Sequence, residues 1–227
     1  MADHPPGVKP RPYDATGRRS GAQARRARVI DVARRRFLAD GYAATTIAAV
    51  ANDSGVSVET IYKTIGSKPR LAKAVFDDGI AGRGPTATGV RATEVSRGER
   101  DPRRRLRAFG GFVAEVTPRV APLMLLVKAA LDSEGDAELA TVWAEMNDER
   151  LASMTIHAQR LFDDGHLHPG LTVEEARDVL WTFNAPEMYE LLVRRRGWDA
   201  DRFGRWVGEM YIAALLPATT RARRRST

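Results

Sequence analysis

The chain has 227 residues, of which 43% are hydrophobic, so it is long and apolar enough to bury a sizeable core and is unlike a disordered chain. It contains no cysteine, which excludes disulfides, thiolate metal sites and a cysteine nucleophile. No uninterrupted apolar stretch approaches the roughly 20 residues that span a bilayer, and the N-terminus has no apolar signal core. We therefore expect a cytoplasmic protein that has no membrane partner.

The net charge of +7 is divided unevenly along the chain. Residues 21–82 carry 10 basic and 6 acidic side chains, and residues 219–227 carry four arginines and no acid. By contrast, residues 83–218 carry 18 basic and 21 acidic side chains. This asymmetry favours a polyanionic partner for one part of the chain only.

Changes in composition predict four segments. Residues 1–20 contain four prolines and few apolar side chains, which is typical of a disordered tail, here a basic one. Glycines and a proline interrupt any helical period between positions 79 and 98, so we place a connection there between two domains, 21–82 and 83–218. The remaining residues, 219–227, form a second basic tail.

Apolar residues recur at spacings of three and four through both domains, without long alternating β-branched runs, so the predicted fold class is all-α. Pro186 should kink or restart a helix, and Gly165 and Gly197 should end helices. In the larger domain the predicted helices lie near 102–116, 118–132, 136–163, 173–196 and 199–216.

A segment of about sixty residues, 25–80, carries the signals of a helix-turn-helix. The first predicted helix has an apolar face and stops at Gly41. A second begins after the capping hydroxyl of Thr45 or Thr46 and ends near Asp53, and Gly55 makes the turn. Ser57 then caps a short third helix. These features predict a compact DNA-reading unit.

The candidate DNA contacts lie on the first, second and third helices and at the start of a fourth. The third helix is short and can bring its N-terminus to a major groove, which makes it the candidate recognition helix. For Glu59 and Thr60, base reading and simple exposure to solvent both remain open, and the whole segment could be a packed helical corner. The candidate residues are Arg25, Arg26, Arg28, Thr45, Thr46, Ser57, Val58, Glu59, Thr60, Tyr62, Lys63 and Lys68.

Four motifs within this segment stand in a familiar order. They are Phe37-x-x-x-Gly41-Tyr42-x-x-Thr45-Thr46, Val50-Ala51, Ser54-Gly55-Val56-Ser57 and Ile61-Tyr62-x-x-Ile65-x-Ser67-Lys68-x-x-Leu71. With them, the segment resembles the DNA-binding domain of the TetR family of bacterial transcriptional regulators. Ile65 and Gly66 depart from the family pattern at positions of local packing.

The resemblance implies an N-terminal three-helix helix-turn-helix domain followed by a C-terminal helical domain for ligand binding and dimerisation. It also implies that the third helix reads bases while Tyr62 and Lys68 contact phosphates. The expected partners are therefore double-stranded operator DNA, a small-molecule effector and a second copy of the chain.

A mostly apolar stripe from Leu139 to Leu161 is interrupted by Arg150 and His157. Either Arg150 leans outward and His157 is a satisfied boundary residue, or both line a cavity and orient an apolar guest. Aromatic and methionine residues around Pro186 offer a further wall, although such stripes usually belong to a core. The candidate pocket residues are Phe109, Phe112, Met124, Val127, Trp143, Met146, Arg150, Met154, His157, Trp181, Asn184, Glu187 and Met188.

The last predicted helix carries a second apolar stripe, and Gly204 and Gly208 would let another helix come close. The TetR resemblance implies that the C-terminal helix pair forms a homodimer interface. A monomer that keeps these side chains in its own core is the alternative. The candidate interface residues are Phe183, Leu191, Phe203, Val207, Met210 and Ala214.

Three functions are compatible with these patterns. The first is a homodimeric repressor that a small apolar or amphipathic ligand releases from a pseudo-palindromic operator. The second is an activator or partner-binding regulator that uses the same DNA module. The third is an enzyme, which would use the acids and histidines of 163–168 as a metal site. However, the end of a helix commonly exposes such residues to water. The sequence also contains no phosphate-binding loop and no nucleophile elbow. We therefore predict no enzyme, no metal and no cofactor.

Overall fold

The structure, a computed structural model, describes residues 15–82 and 99–218, and within these ranges its regular secondary structure is entirely helical. A π-helical segment covers Glu190–Arg195. The predicted all-α class is confirmed. The predicted connection at 79–98 is described only as far as residue 82, and its first residues still belong to the helix Lys68–Ala81. The basic tail 219–227 lies outside the described residues. The helices are α1 Ala15–Asp40, α2 Ile47–Ser54, α3 Val58–Thr64, α4 Lys68–Ala81, α5 Pro102–Glu134, α6 Ala137–Asp163, α7 Val173–Phe183, α8 Pro186–Tyr189 and α9 Ala200–Leu215.

Side-chain caps and one glycine form the helix-turn-helix as the sequence predicts. The hydroxyl of Thr46 accepts a hydrogen bond from the backbone N–H of Ala49 at 3.1 Å and so caps α2. Gly55 ends α2 with a φ of 65°, a left-handed conformation that glycine adopts without strain. The hydroxyl of Ser57 accepts from the N–H of Thr60 at 3.2 Å and caps α3. The short turn thus places α3 directly after α2.

The first helix begins at Ala15, inside the segment 1–20 that we predicted as a disordered tail. Residues 22–28 of this helix are exposed, so burial does not explain its early turns. Alanine, arginine and glutamine dominate the stretch and have high intrinsic helix propensity. Our prediction relied on buried apolar surface and therefore missed a helix that local propensity extends.

The fifth helix runs unbroken through Pro118 and Pro122, so the predicted division into 102–116 and 118–132 is wrong. Each proline removes a backbone N–H from the helix ladder. The apolar residues on either side of Pro118 are nevertheless buried: Val116 is 4% exposed and Val120 is 7% exposed. Burial of a continuous face outweighs the local cost of the prolines.

By length and composition alone, α5 could also cross a membrane between Pro102 and Ser133. Our sequence prediction looked for an uninterrupted apolar stretch of roughly 20 residues and therefore did not find a span. Half of the apolar window is buried inside the fold. A core helix of a soluble protein passes the same test, and burial accounts for the apolar character of α5.

The buried side chains form two apolar clusters. The first joins α1–α4 to the middle and C-terminal part of α5 and to the start of α6. The second joins the N-terminal part of α5 to the end of α6 and to α7–α9. In the first cluster Leu71 and Val75 of α4 are 0% exposed and Phe76 is 1% exposed. The predicted domain boundary near residue 82 therefore crosses a continuous core.

The fifth and ninth helices cross at glycines. A Cβ on Gly110 would collide with the backbone carbonyl oxygen of Gly204, and it would also lie 3.0 Å from the backbone nitrogen of Gly208. Gly204 and Gly208 thus allow the close helix approach that the sequence predicts, and the partner helix is α5 of the same chain. A Cβ on the adjacent Gly111 would meet no atom within 4 Å, because this glycine faces outward.

His157 of α6 packs against the second cluster. Its ring centroid lies 4.4 Å from that of Phe109. Burial lowers the pKa of His157 to about 4, and the positive charges of Arg160 and Arg105 act in the same direction. The imidazole is therefore neutral in the folded protein at neutral pH.

We expect Gly110→Ala to lower the free energy of unfolding by about 2 kcal/mol or more, because the added methyl group meets backbone atoms that cannot rotate away. Gly111→Ala is the matched control. It should raise the free energy of unfolding by about 0.5–1 kcal/mol through helix propensity. Urea unfolding followed by circular dichroism measures both. Equal stability of the two variants would contradict the close crossing of α5 and α9.

His157 should also make stability depend on pH. The unfolded chain protonates it below about pH 6.5 while the folded chain keeps it neutral down to about pH 4. The contribution of the neutral imidazole to the free energy of unfolding is therefore complete above about pH 6.5 and is lost as the pH falls towards about 4. We expect it to lower the free energy of unfolding by about 2 kcal/mol at pH 5 relative to pH 7.5.

The variant His157→Gln should remove this part of the pH dependence, whereas His168→Gln, at a histidine nearer the surface, should keep it. Urea unfolding at the two pH values gives the difference for each protein. An unchanged pH dependence in His157→Gln would show that the imidazole is not kept neutral by burial.

Candidate DNA-binding surface and ligand cavity

The outer face of α3 is exposed. Tyr62 is 56% exposed and Val58 is 39% exposed, and the side chains of Glu59 and Lys63 are also at the surface. Only Ile61 of this helix is buried, and it anchors α3 to the core. The helix therefore presents its predicted recognition face to solvent.

Two predicted contacts at the start of α3 also serve the helix itself. The hydroxyl oxygens of Ser57 and Thr60 lie 2.8 Å apart and share a hydrogen bond. Thr60 is half-buried while Glu59 is exposed, so the two residues left open by sequence differ in their surroundings. The paired hydroxyls fix the first turn of α3.

Arginines of α1 lie beside α3. Arg25, Arg26 and Arg28 are all exposed. A surface groove brings two of them together with the inner edge of α3, although these residues are far apart in sequence. This arrangement places cationic groups along one flank of the candidate recognition helix. The groove is lined by Ala22, Gln23, Arg25, Arg26, Val29, Val56, Thr60 and Thr64.

Thr45 is not at the DNA-facing surface, and its prediction as a contact needs correction. It is 1% exposed, and its hydroxyl donates to the backbone carbonyl of Gly41 at 2.8 Å. The neighbouring Thr46 is exposed and caps α2. The sequence alone does not show which of two adjacent threonines is buried.

Lys68, at the start of α4, lies against the loop before α2. Its ammonium donates to the backbone carbonyl of Ala43 at 3.0 Å and lies 4.3 Å from the centroid of the Tyr42 ring. Ser67 caps α4 and donates its hydroxyl proton to Glu138 of α6 at 2.6 Å. The N-terminus of α4 thus already faces a carboxylate.

Polar pairs continue along the face that α4 turns to α6. Arg70 donates to Glu145 at 2.6 Å, and this hydrogen bond holds the pKa of the Glu145 carboxyl below its usual value. One turn further on, the ammonium of Lys73 lies 2.9 Å from a carboxylate oxygen of Glu149. With the Ser67–Glu138 bond, these pairs form what we call the α4–α6 seam.

A cavity of about 140 Å³ opens between α4, α5, α6 and the start of α8. Its walls are mostly apolar, and its polar groups come from Thr117, Glu149, Arg150, Ser153 and Asn184. An apolar cavity with a few convergent polar groups is the usual form of a small-molecule site. The lining comprises Phe76, Ile80, Phe112, Val113, Val116, Thr117, Val120, Ala121, Met124, Glu149, Arg150, Ser153, Met154, Asn184 and Pro186.

Five of the predicted pocket residues line this cavity, and eight do not. Val127 and Met146 are 0% exposed in the first cluster, where Trp143 also packs. Phe109, Met188 and Trp181 pack in the second cluster, and His157 stacks on Phe109. Glu187 is exposed. The five lining residues are Phe112, Met124, Arg150, Met154 and Asn184.

Two groups of lining residues escaped prediction from the sequence. Phe76 and Ile80 belong to α4, which we had assigned to the DNA-reading domain alone. Thr117, Val120 and Ala121 lie where we expected a helix break at Pro118. The apolar spacing along α4, with Phe76 and Ile80 four residues apart, was the signal that could have revealed its second face.

Two of the predicted dimer contacts are wrong. Phe203 and Val207 are 0% exposed, because they pack in the second cluster of their own chain. Of the other four candidates, Leu191 is 48% exposed and Ala214 is exposed, while Phe183 and Met210 are half-buried. Apolar periodicity identified a covered face but not whether the same chain or a partner covers it.

The acids and histidines near the end of α6 are engaged with the surrounding protein. Asp164 pairs with Arg105 at 2.7 Å, and Nδ1 of His168 lies 2.9 Å from the carbonyl oxygen of Pro169. Within residues 15–82 and 99–218, no group of three acidic or histidine side chains comes together as metal ligands would.

Comparison with known proteins places the helix-turn-helix in a family. Residues 29–75 match the model of bacterial regulatory proteins of the tetR family. This range runs from the first buried residues of α1 to Val75 of α4 and contains all of α2 and α3. Among curated proteins, none matches the sequence.

Several solved structures share the fold of the whole chain. The SmeT–triclosan complex is 19% identical and has a TM-score of 0.65, over 86% of this chain and 93% of its own. Bacillus subtilis FadR, a transcriptional regulator solved with stearoyl-CoA, is 16% identical with a TM-score of 0.66, over 82% and 97%. Pseudomonas aeruginosa NalD, the secondary repressor of the MexAB-OprM multidrug efflux pump, is 18% identical with a TM-score of 0.57, over 88% and 100%.

These matches agree with the resemblance that the sequence motifs indicated. The family model covers the DNA-reading unit, and the structural likeness extends to the larger helical domain. Residues 29–75 thus resemble the DNA-binding segment of the TetR family, and the chain shares its overall fold with solved structures of TetR-family regulators.

Proposed function

We propose that this chain is a homodimeric repressor that a small amphipathic ligand releases from a pseudo-palindromic operator. The observation that carries the proposal is that α4 belongs both to the DNA-reading unit and to the wall of the cavity. It closes the core of the helix-turn-helix, and its residues Phe76 and Ile80 form a wall of the cavity. A ligand in the cavity therefore touches the element that positions α3.

The DNA-reading surface in this proposal is the exposed face of α3 and the arginines of α1. Their positive charge would bind phosphates, while side chains of α3 reach base edges in the major groove. The predicted phosphate contact of Tyr62 agrees with its high exposure. For Lys63 we propose a contact near the same phosphates.

Release requires that the ligand bind the two orientations of the DNA-reading unit with different affinity. The α4–α6 seam and the apolar contacts of α4 hold one orientation in the structure. A guest that changes the spacing between α4 and α5 would favour another orientation. Ligand complexes among the similar structures, with triclosan for SmeT and stearoyl-CoA for FadR, support a role of this kind for the larger domain.

NalD, a repressor with the same fold, supports repression as the sign of regulation. Repression also needs the simplest machinery, because a protein bound across an operator blocks transcription without a further partner. A reporter gene placed behind the chain's own upstream region tests this. We expect its expression to rise when the regulator gene is deleted, and a fall would identify an activator.

We expect two α3 variants to weaken DNA binding in different ways. Tyr62→Phe removes one hydroxyl donor and should lower affinity about tenfold on operator and unrelated DNA alike. Lys63→Gln should reduce the slope of log affinity against log salt by about 1, because one phosphate contact is lost. Fluorescence anisotropy with DNA from upstream of the gene, measured at several salt concentrations, gives both quantities.

Lys128→Gln is the matched control for Lys63→Gln. This lysine lies on α5 and pairs with Asp132 at 2.8 Å, away from the DNA-reading unit. It should leave the affinity and the salt slope unchanged. If Lys63→Gln and Lys128→Gln reduce the slope equally, α3 is not the DNA-reading helix.

For the dimer, we propose an interface on the outer surface of α8, its π-helical continuation and α9. Leu191→Glu places a charge on an apolar side chain that is 48% exposed, and it should convert the dimer to monomer. Leu38→Glu, at a side chain of α1 that is 47% exposed, is the matched control and should leave the dimer intact. Sedimentation equilibrium distinguishes the two, and dimeric Leu191→Glu would exclude this interface.

A further inference from the structure

The cavity contains a buried cation that forms no ion pair with an acid of the described residues. Arg150 of α6 lines the cavity and is only 9% exposed. Its guanidinium donates to the side-chain oxygen of Asn147 at 3.1 Å and to the backbone carbonyl of Asn184 at 2.8 Å. It also lies 5.5 Å from the centroid of the Trp181 ring. Among the residues that the structure describes, all of its polar partners are neutral.

Burial of a charge without a counter-charge is unfavourable. Burial lowers the pKa of Arg150, and the negative charge of Glu187, which is exposed, offsets this in part. The cavity does contain one carboxylate, that of Glu149. That side chain is 57% exposed, and it shares the ammonium of Lys73 with Asp77. Among the described residues that line the cavity, Arg150 therefore carries the buried charge.

The rest of the cavity is suited to a hydrocarbon chain. Val113, Val116, Val120, Ala121 and Met124 of α5 line it, and Phe76 and Ile80 close it on the side of α4. A volume of about 140 Å³ is close to that of an apolar cavity of about 150 Å³ that binds benzene. The guest that fits this volume therefore has about six or seven non-hydrogen atoms.

We infer that the cavity binds a monocarboxylate with a short hydrocarbon chain, its carboxylate on Arg150 and its chain directed towards α4. This names the ligand class of the regulator proposed above and rests on that proposal for its regulatory meaning. A planar guanidinium matches the two oxygens of a carboxylate and would gain the counter-charge it lacks. The hydrocarbon chain would pack against the wall formed by Phe76 and Ile80.

Arg150 has a competing role that the experiment must separate from ligand binding. Its hydrogen bond to the carbonyl of Asn184 lies at the break between α7 and α8, where Pro186 restarts the helix. A purely structural Arg150 would satisfy this backbone group and have no preference for an anion.

Pentanoate and pentanamide provide the test, because both have about seven non-hydrogen atoms and nearly the same shape but only pentanoate is charged. Isothermal titration calorimetry of the full chain at pH 7.5 should give at least a tenfold lower Kd for pentanoate. Arg150→Gln should abolish the preference for pentanoate, and Arg150→Lys should retain most of it. Thermal unfolding of each variant establishes that it is folded.

Equal Kd values for the two ligands, or no binding of pentanoate, would overturn the inference even if Arg150→Gln fails to fold, since the wild-type protein alone decides this. Release of operator DNA by a neutral compound, without pentanoate binding, would overturn the inference and leave the proposed function standing. Pentanoate binding by a protein that binds no DNA would support the ligand class and overturn the proposed function.

Discussion

The arrangement of the whole molecule depends on the burial of α4 on two sides. One side closes the core of the helix-turn-helix against α1, and the other packs on α5 and α6. A single apolar cluster therefore runs from the DNA-reading unit into the larger domain. Within the described residues, this packing connects the two parts, so a change in the packing of α4 is also a change in the position of α3.

The α4–α6 seam fixes the orientation of α4 on α6 and contributes little to stability. Its Arg70–Glu145 pair has 37% of each side chain exposed, and surface pairs of this kind contribute about 0–1 kcal/mol. Three such contacts at successive turns of one helix nevertheless specify a register between α4 and α6. Salt screens exposed pairs, so the seam weakens under the same conditions that weaken phosphate contacts.

Local signals in the sequence predicted the fold well, whereas long-range packing escaped it. The cap at Ser57 and the turn at Gly55 depend on neighbouring residues and were placed correctly, whereas the cap of α2 was narrowed only to Thr45 or Thr46. Long-range contacts decide whether an apolar face is covered by its own chain or by a second copy. The sequence does not show these contacts, and for this reason Phe203 and Val207 were assigned to a dimer interface instead of the core of their own chain. At Pro118 the local signal predicted a helix break, but burial of the apolar face keeps α5 continuous there. The cavity was found in part, since its α4 wall lies outside the domain in which it was expected.

The position of Phe76 and Ile80 has a consequence for DNA as much as for ligand. Coupling between two binding sites is reciprocal: whatever factor the guest applies to operator affinity, operator DNA applies to the affinity of the guest. In the proposed regulator the operator is therefore itself an effector of the cavity. A molecule bound on DNA would sense a ligand concentration different from the one sensed by a molecule free in solution, and the number of operator sites would set the threshold of the response.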